Sequence, residues 1–241
     1  MKPEIIVVAA AYGHQKVAEL GGQQALLPIV AGAGADGIEI RRELLTQSEL
    51  QHLPQLAKAI ADHQLKTFYS VPDALFNAEG AVNPLLEDYL LEAEQLHAQC
   101  LKLSLGAWRP GREIRLTTRG IRLVVENDQT EYGRLAAIAP FFDQQHATSG
   151  MTFDMGNWQW TGDDAAAAAR RLARHVSYIH VKAAIPHGDS WRAIALDEAD
   201  DGWRALLKLL PGDVPRGIEF PLQGDDLVAV TRHYVDLLRE E

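Results

Sequence analysis

Only one cysteine, Cys100, occurs in the 241 residues, so no disulfide can form within the chain. It stands just ahead of an apolar run and reads as a small buried residue rather than a nucleophile. Positive charge is also scarce: 23 Lys and Arg face 33 Asp and Glu, a formal net charge of −10. That balance argues against a nucleic-acid partner or an anionic membrane surface. It leaves room for a small anionic substrate in a local basic pocket. The apolar run Ile5–Ala11 is too short to span a membrane. With one lysine ahead of it and no clear cleavage context, it reads as a first strand rather than the core of a signal peptide. No Gly-x-Gly-x-x-Gly or Walker A pattern follows any strand-like run, which leaves a nucleotide site without support. Linkers and low-complexity tracts are missing as well. The default expectation is one cytoplasmic enzyme domain, residues 1–241.

What the sequence does have is alternation. Strand-like runs fall at Ile5–Ala11, Asp36–Ile40, Leu65–Ser70, Cys100–Leu105, Ile121–Glu126, Met151–Asp154, Val176–Lys182 and Gly217–Glu219. Helical patterns separate them, near Gln23–Ala33, Ser48–His63, Pro84–Gln99, Tyr132–His146, Ala165–His175, Asp201–Leu209 and Asp225–Arg239. In the second of these, Leu50, Leu53, Leu56, Ala57 and Ile60 recur at three- and four-residue steps, the period of a helix face. Asp163 or Asp164 caps the alanine-rich helix. Gly106–Gly120, with Pro110 and Gly111, leaves room only for a short or irregular fourth helix. A loop of Pro, His, Gly and Asp after Lys182 is long enough to be a lid. Eight strand–helix units in this length predict an α/β fold, a closed (β/α)8 TIM barrel.

In such a barrel, chemistry gathers at the C-terminal strand ends. Those ends carry Glu39 and Arg41, Ser70, Lys102 and Ser104, Glu126 and Asp128, Asp154, His180 and Lys182, and Glu219. Strands five to eight thus each end in a ligand for a divalent metal: Glu126, Asp154, His180 and Glu219, at intervals of 28, 26 and 39 residues. Alternation puts Thr152 and Asp154 on one face and Met151 and Phe153 on the other; Tyr178, His180 and Lys182 share a face. Three carboxylates and an imidazole suit Mn²⁺ first, with Mg²⁺, Co²⁺, Fe²⁺ or Zn²⁺ as alternatives. Any one of these residues alone is more often a salt-bridged or loop carboxylate or a hydrogen-bonded core histidine than a ligand; the joint placement favours a metal. The other histidines, His146 among them, fall mostly in helices or loops and carry no such pattern. Arg41, Lys102 and Lys182 are candidates to bind a carboxylate or phosphate on the substrate, against surface pairing as the alternative. Trp158 and Trp160 fit either an apolar wall for a sugar or core packing.

Glu126-Asn127, Phe153-Asp154-Met155-Gly156-Asn157, Tyr178-Ile179-His180-Val181-Lys182 and Gly217-Ile218-Glu219 resemble, in order, the motifs of the xylose-isomerase-like TIM-barrel superfamily of sugar isomerases and epimerases. Within it, Gly37–Glu43, Leu101–Gly106, Val125–Thr130, Met151–Trp158 and Ile218–Leu227 look like an epimerase family encoded with bacterial 2-ketogluconate-utilisation genes. The resemblance implies a metal held by Glu126, Asp154, His180 and Glu219, with Glu126 and Glu219 also moving the proton. It also implies substrate contacts in the region of Asn157, where the ketose 3-epimerase branch commonly has a histidine, and offers no obvious counterpart of that branch's substrate-binding arginine beyond Arg192. The expected reaction is epimerisation or isomerisation of a sugar or sugar acid, phosphorylated or not, by proton transfer next to a carbonyl through an enediolate. A metal-dependent dehydratase or lyase on a polyol or keto acid, or a non-catalytic sugar-acid-binding barrel, stays open, as does a homo-oligomer.

Overall fold

Alternation along the strands decides where the core forms. The computed structural model describes residues 2–111, 116–144 and 149–241. Its strands are β1 Ile5–Val8, β2 Gly37–Arg41, β3 Lys66–Phe76, β4 Cys100–Gly106, β5 Arg122–Glu126, β6 Ser149–Asp154, β7 Val176–Val181, β8 Ala183–His187, β9 Ser190–Ile194 and β10 Arg216–Ile218. Eight of them close into a parallel barrel in the order β1-β10-β7-β6-β5-β4-β3-β2, and β8 and β9 form a separate two-stranded sheet. Outward-facing Ile5, Val7, Ile38, Ile40, Leu101, Leu103, Leu123, Val125, Met151, Phe153, Ile179 and Val181 join the main core against the helices. Ile6, Phe68, Cys100, Val124 and Tyr178, of the opposite parity, form a second, smaller cluster inside the barrel. Apolar side chains thus fill the interior below, and the polar strand ends stack above them.

The helices α1 His14–Leu20, α2 Leu27–Gly32, α3 Gln47–Gln51, α4 Leu53–Asp62, α5 Leu86–Gln95, α6 Leu135–Gln144, α7 Trp158–Thr161, α8 Ala165–Leu172, α9 Gly202–Leu207 and α10 Leu227–Glu240 complete the described elements. Several depart from the sequence expectation for identifiable reasons. The Gly21-Gly22 pair ends α1, with Gly21 in the left-handed conformation at φ 96°, and Gly22 also opens the next helical stretch, whose first turn, Gln23–Leu26, is a 3-10 helix leading into α2. The helix expected over Ser48–His63 is broken at His52, because Pro54 in the next turn has no N–H to continue the ladder. A capping box of Thr46 and Glu49 starts the first piece. β3 runs past Ser70 to Phe76; the register with β4 shifts between Ser70 and Ala74, and Pro72 sits in that irregularity, where no ladder donor is needed.

Gly106–Gly120 forms no helix among its described residues, and 112–115 lie outside them. The end of the helix expected at His146 also lies outside the described residues; α6 is described to Gln144. The loop expected as a lid after Lys182 is instead the antiparallel hairpin β8–β9, paired from Ala183↔Ile194 to His187↔Ser190. Its two-residue turn places Gly188 at φ 59°, as tight hairpin turns require. The aspartate that caps α8 is Asp164, whose side chain accepts from the backbone N–H groups of Ala166 and Ala167. Asp164→Ala removes those bonds and is expected to cost about 1 kcal/mol, seen as a lowered midpoint in chemical denaturation. An unchanged midpoint would show that the cap does not hold the helix.

Candidate metal centre

Register brings the polar strand ends together. Asp154 lies beside His180 across β6 and β7, and Gly217, two residues before Glu219, lies beside His180 across β7 and β10. One ligand atom each from Glu126, Asp154, His180 and Glu219 falls within 4.8 Å of the others. Asp154 and His180 are fully buried. The four residues expected to converge therefore do so.

A second layer orients them. Asp154 Oδ1 accepts from the backbone N–H groups of Gly156 and Asn157, each at 2.8 Å, which turns Oδ2 toward the cluster. Asn127 grips the same strand end from β5: its Nδ2 donates to the Asp154 carbonyl at 3.0 Å and its Oδ1 accepts from the Asp154 N–H at 2.9 Å. Asn157 Nδ2 donates to the Asn127 carbonyl at 2.9 Å. Asp128 turns away and accepts from Thr130 in a local turn. His180 Nε2 lies 2.7 Å from Glu39 Oε2, which also accepts from the Tyr178 hydroxyl at 2.9 Å.

Three cations thread between the carboxylates. Lys102 Nζ donates to Glu126 Oε2 at 2.6 Å. Lys182 Nζ donates to Asp154 Oδ2 and Glu219 Oε2, both at 3.1 Å. Arg41 Nη1 donates to Glu219 Oε1 at 3.0 Å, and its Nε pairs with Glu43. Burial alone would raise the Glu126 carboxyl, but Lys102 and His180 outweigh it and hold it down at about 2. Burial would raise Glu219 too; Lys182 and His180 keep it well below the usual carboxylate range. Burial pushes the Asp154 carboxyl up to about 7; Lys182 opposes the rise, and Glu219 and Glu126 add to it. For His180, burial favours the neutral ring, yet Glu39 and Glu219 raise it well above 6.5.

One face of this network lacks hydrogen bonds. His180 Nδ1 lies 2.8 Å from Glu126 Oε1 and 3.1 Å from Glu219 Oε2. Yet Nδ1 and Glu126 Oε1 are both buried without a hydrogen-bond partner. Acceptor oxygens gathered round a ring nitrogen whose opposite nitrogen faces a carboxylate fit a divalent cation, which would take the Nδ1 lone pair and the carboxylate charge together. Hard oxygen donors with one imidazole suit a borderline or hard metal.

The residues expected to touch substrate sort differently. Arg41 and Lys182 keep some exposure, with side chains 17% and 12% accessible. Lys182 also lies 5.8 Å from the ring centre of Trp160. Of the site residues, only Lys182 reaches a neighbouring open cavity of about 940 Å³ between α8, α9 and the hairpin. Lys102 is buried between Glu126 and Glu39, a counter-ion rather than an open anion site. Asn157 is buried under Gln129 and Lys182. Trp158 is a correction: it is fully buried and tilted against Phe153 in the main core, because it follows the strand by one turn and points back to the helices. Glu39, a strand end without a role in the expected ligand set, belongs to the site as well. Its signal was a lone carboxylate inside the buried run Gly37–Ile40, where an unpaired charge is costly.

The raised Asp154 and His180 have a testable consequence. In the metal-free protein both hold protons that the unfolded chain releases at lower pH, so folded-state stability falls as pH rises through about 7. A metal must displace those protons. Its affinity is therefore expected to tighten by about tenfold or more between pH 6 and pH 8, measured by competition with a chelating indicator. A pH-independent affinity would contradict this proton balance.

No protein-family model matches the chain, and no curated protein matches it. Solved structures do. The probable 3-DHS dehydratase AsbF of petrobactin synthesis from Bacillus anthracis matches with TM-score 0.69 and 12% identity, over 98% of each chain. D-allulose 3-epimerase from Methylomonas, in complex with D-allulose, matches with TM-score 0.64 and 12% identity, over 99% of this chain and 97% of the other. A xylose isomerase-like TIM-barrel protein from Mycobacterium smegmatis, in complex with magnesium, matches with TM-score 0.62 and 16% identity, over 99% and 97%. Epimerases and a dehydratase thus share this architecture, and the chain has the xylose isomerase-like TIM-barrel fold.

Proposed function

We propose that the chain is a divalent-metal-dependent epimerase or isomerase acting on a sugar or sugar acid, with 2-ketogluconate metabolism as its setting. The observation that carries this is the convergence of Glu126, Asp154, His180 and Glu219 at the mouth of a barrel, with unsatisfied ring and carboxylate atoms facing one another. Glu126, Asp154, His180 and Glu219 would hold the metal, Mn²⁺ for preference. When bound, it would supply Lewis acidity toward a carbonyl and the neighbouring hydroxyl, acidifying the intervening C–H.

The chain's own groups do the rest. Glu126, at the end of β5, and Glu219, just past β10, both reach His180 Nδ1. One carboxylate takes the proton from the substrate carbon and the other returns one to the opposite face, which inverts the centre. Lys102 on Glu126, and Arg41 and Lys182 on Glu219, keep both carboxylates ionised and oriented. A depressed carboxylate is a weak base, so much of the driving force must come from acidification of the substrate. The inner cluster sets four carboxylates, counting Glu39, against Arg41, Lys102 and Lys182. Arg41 and Lys182 are the cations of the cluster with enough exposure to meet a carboxylate on the substrate.

Incubation with Mn²⁺ and a panel of keto sugars and sugar acids in deuterated water is expected to put solvent deuterium on the carbon next to the carbonyl. Retention of the carbon skeleton and its oxygens distinguishes this from loss of water, the outcome expected of a dehydratase. Glu126→Gln and Glu219→Gln are each expected to lower turnover at least ~100-fold with the fold kept by circular dichroism. Full activity of either variant would sink the two-glutamate scheme.

A further inference from the structure

Glu39 is a fourth carboxylate at the barrel mouth, and it stands outside the four-residue ligand set. It belongs to β2, whereas His180 belongs to β7; β1 and β10 lie between them in the barrel. The two side chains therefore meet across the interior. Glu39 is fully buried. Its nearest partners are His180 Nε2 at 2.7 Å and the Tyr178 hydroxyl at 2.9 Å, both on Oε2. Its cationic neighbours are farther off: Arg41 at 3.5 Å and Lys102 at 3.9 Å, both from Oε1. The histidine bond is thus the tightest contact this carboxylate makes, and a counter-ion role toward the cations is secondary.

The packing leaves a lane for that contact. Gly217 on β10 is in register with His180. A Cβ at position 217 would lie 2.5 Å from the Tyr178 hydroxyl oxygen and 3.0 Å from His180 Cδ2. Glycine here answers a need for space, not for an unusual backbone angle: the interior has no room for a side chain where Tyr178 and His180 turn toward Glu39. Phe68 lies against the Tyr178 ring, 4.8 Å between centres, and holds it from below.

We propose that Glu39 is a positioning residue that fixes the ring of His180 as an Nδ1 metal ligand. The inference rests on the metal reading above. An ionised carboxylate only accepts, so the nitrogen facing it must carry the proton. Nε2–H toward Glu39 leaves a lone pair on Nδ1, the nitrogen that faces Glu126 Oε1 and Glu219 Oε2. The same bond stops the ring from flipping, and it makes Nδ1 a better donor by placing negative charge behind it. Tyr178 steadies the carboxylate through the shared Oε2.

The test uses purified full-length chain and metal alone. Mn²⁺ affinity of the wild type, Glu39→Gln, Glu39→Asp and Tyr178→Phe is measured by competition with a chelating indicator, with thermal unfolding of each metal-free protein as the fold control. Glu39→Gln is expected to weaken Mn²⁺ by about 10- to 100-fold, Glu39→Asp to recover part of that loss, and Tyr178→Phe to lose only a few-fold. Tyr178→Phe keeps the ring in place and serves where Glu39→Gln fails to fold. In the Zn²⁺-loaded wild type, ¹⁵N shifts of the His180 ring are expected to show a protonated Nε2 and a coordinated Nδ1, a pattern lost in Glu39→Gln. Wild-type affinity in folded Glu39 variants, or a proton on Nδ1 in the loaded wild type, would overturn the role of Glu39 alone. A wild type that binds neither Mn²⁺ nor Zn²⁺ would overturn the metal reading with it.

Discussion

Carboxylates crowded around a single imidazole set the terms for the whole barrel mouth. Glu39, Glu126 and Glu219 each bring an oxygen within about hydrogen-bond distance of a ring nitrogen of His180, and Asp154 sits beside it in register. Such a group of charges is expensive to bury unless positive charge is interleaved. The chain meets that need with Lys102 and Lys182, each bridging two carboxylates, and Arg41, which bridges three. Even so, the contact between His180 Nδ1 and Glu126 Oε1 carries no hydrogen bond. Unpartnered donor atoms facing one another at the centre of the site are what a cation would satisfy.

The barrel makes this arrangement affordable by separating two kinds of packing. Outward residues such as Met151, Phe153, Ile179 and Val181 stabilise the strands against the helices, independently of the mouth. Inward residues form a small apolar floor of Ile6, Phe68, Cys100, Val124 and Tyr178, on which the polar layer rests. Tyr178 belongs to both layers: its ring is part of the floor, and its hydroxyl reaches Glu39. Backbone groups help as well. The turn after β6 aims two N–H groups at Asp154 Oδ1, which fixes the other oxygen toward the cluster. Position is thus set by strands, tight turns and buried amides rather than by loops free to move, which is how a ligand set keeps its geometry.

Much of this was legible in the sequence because strand parity and strand ends are local features. The eight apolar runs gave the closed barrel, and the polar residues at their ends gave the four that converge. What was illegible depended on contacts between strands distant in sequence. Glu39 stood in view at a strand end, but its partner lies 141 residues away, and no local pattern links them. Trp158 fitted a sugar wall and core packing equally in the sequence; the short α7 puts it in the core. The segment after Lys182 read as a loop, since Gly188-Asp189 marks a turn but the flanking residues alternate too weakly to announce a hairpin. The break before Pro54 and the irregularity at Pro72 have local signals in the two prolines, which cannot donate to a helix or strand ladder.

The central claim is that Glu126, Asp154, His180 and Glu219 enclose one divalent cation. A crystal of the protein grown with Mn²⁺ and measured near the manganese absorption edge tests it most directly. The expected result is a single strong anomalous peak about 2.1–2.3 Å from one atom of each of the four residues, a range typical of divalent metal–oxygen and metal–nitrogen bonds. A map with no peak among them at full Mn²⁺ loading, or with Lys182 still seated on Asp154 and Glu219 and the metal elsewhere, would contradict it.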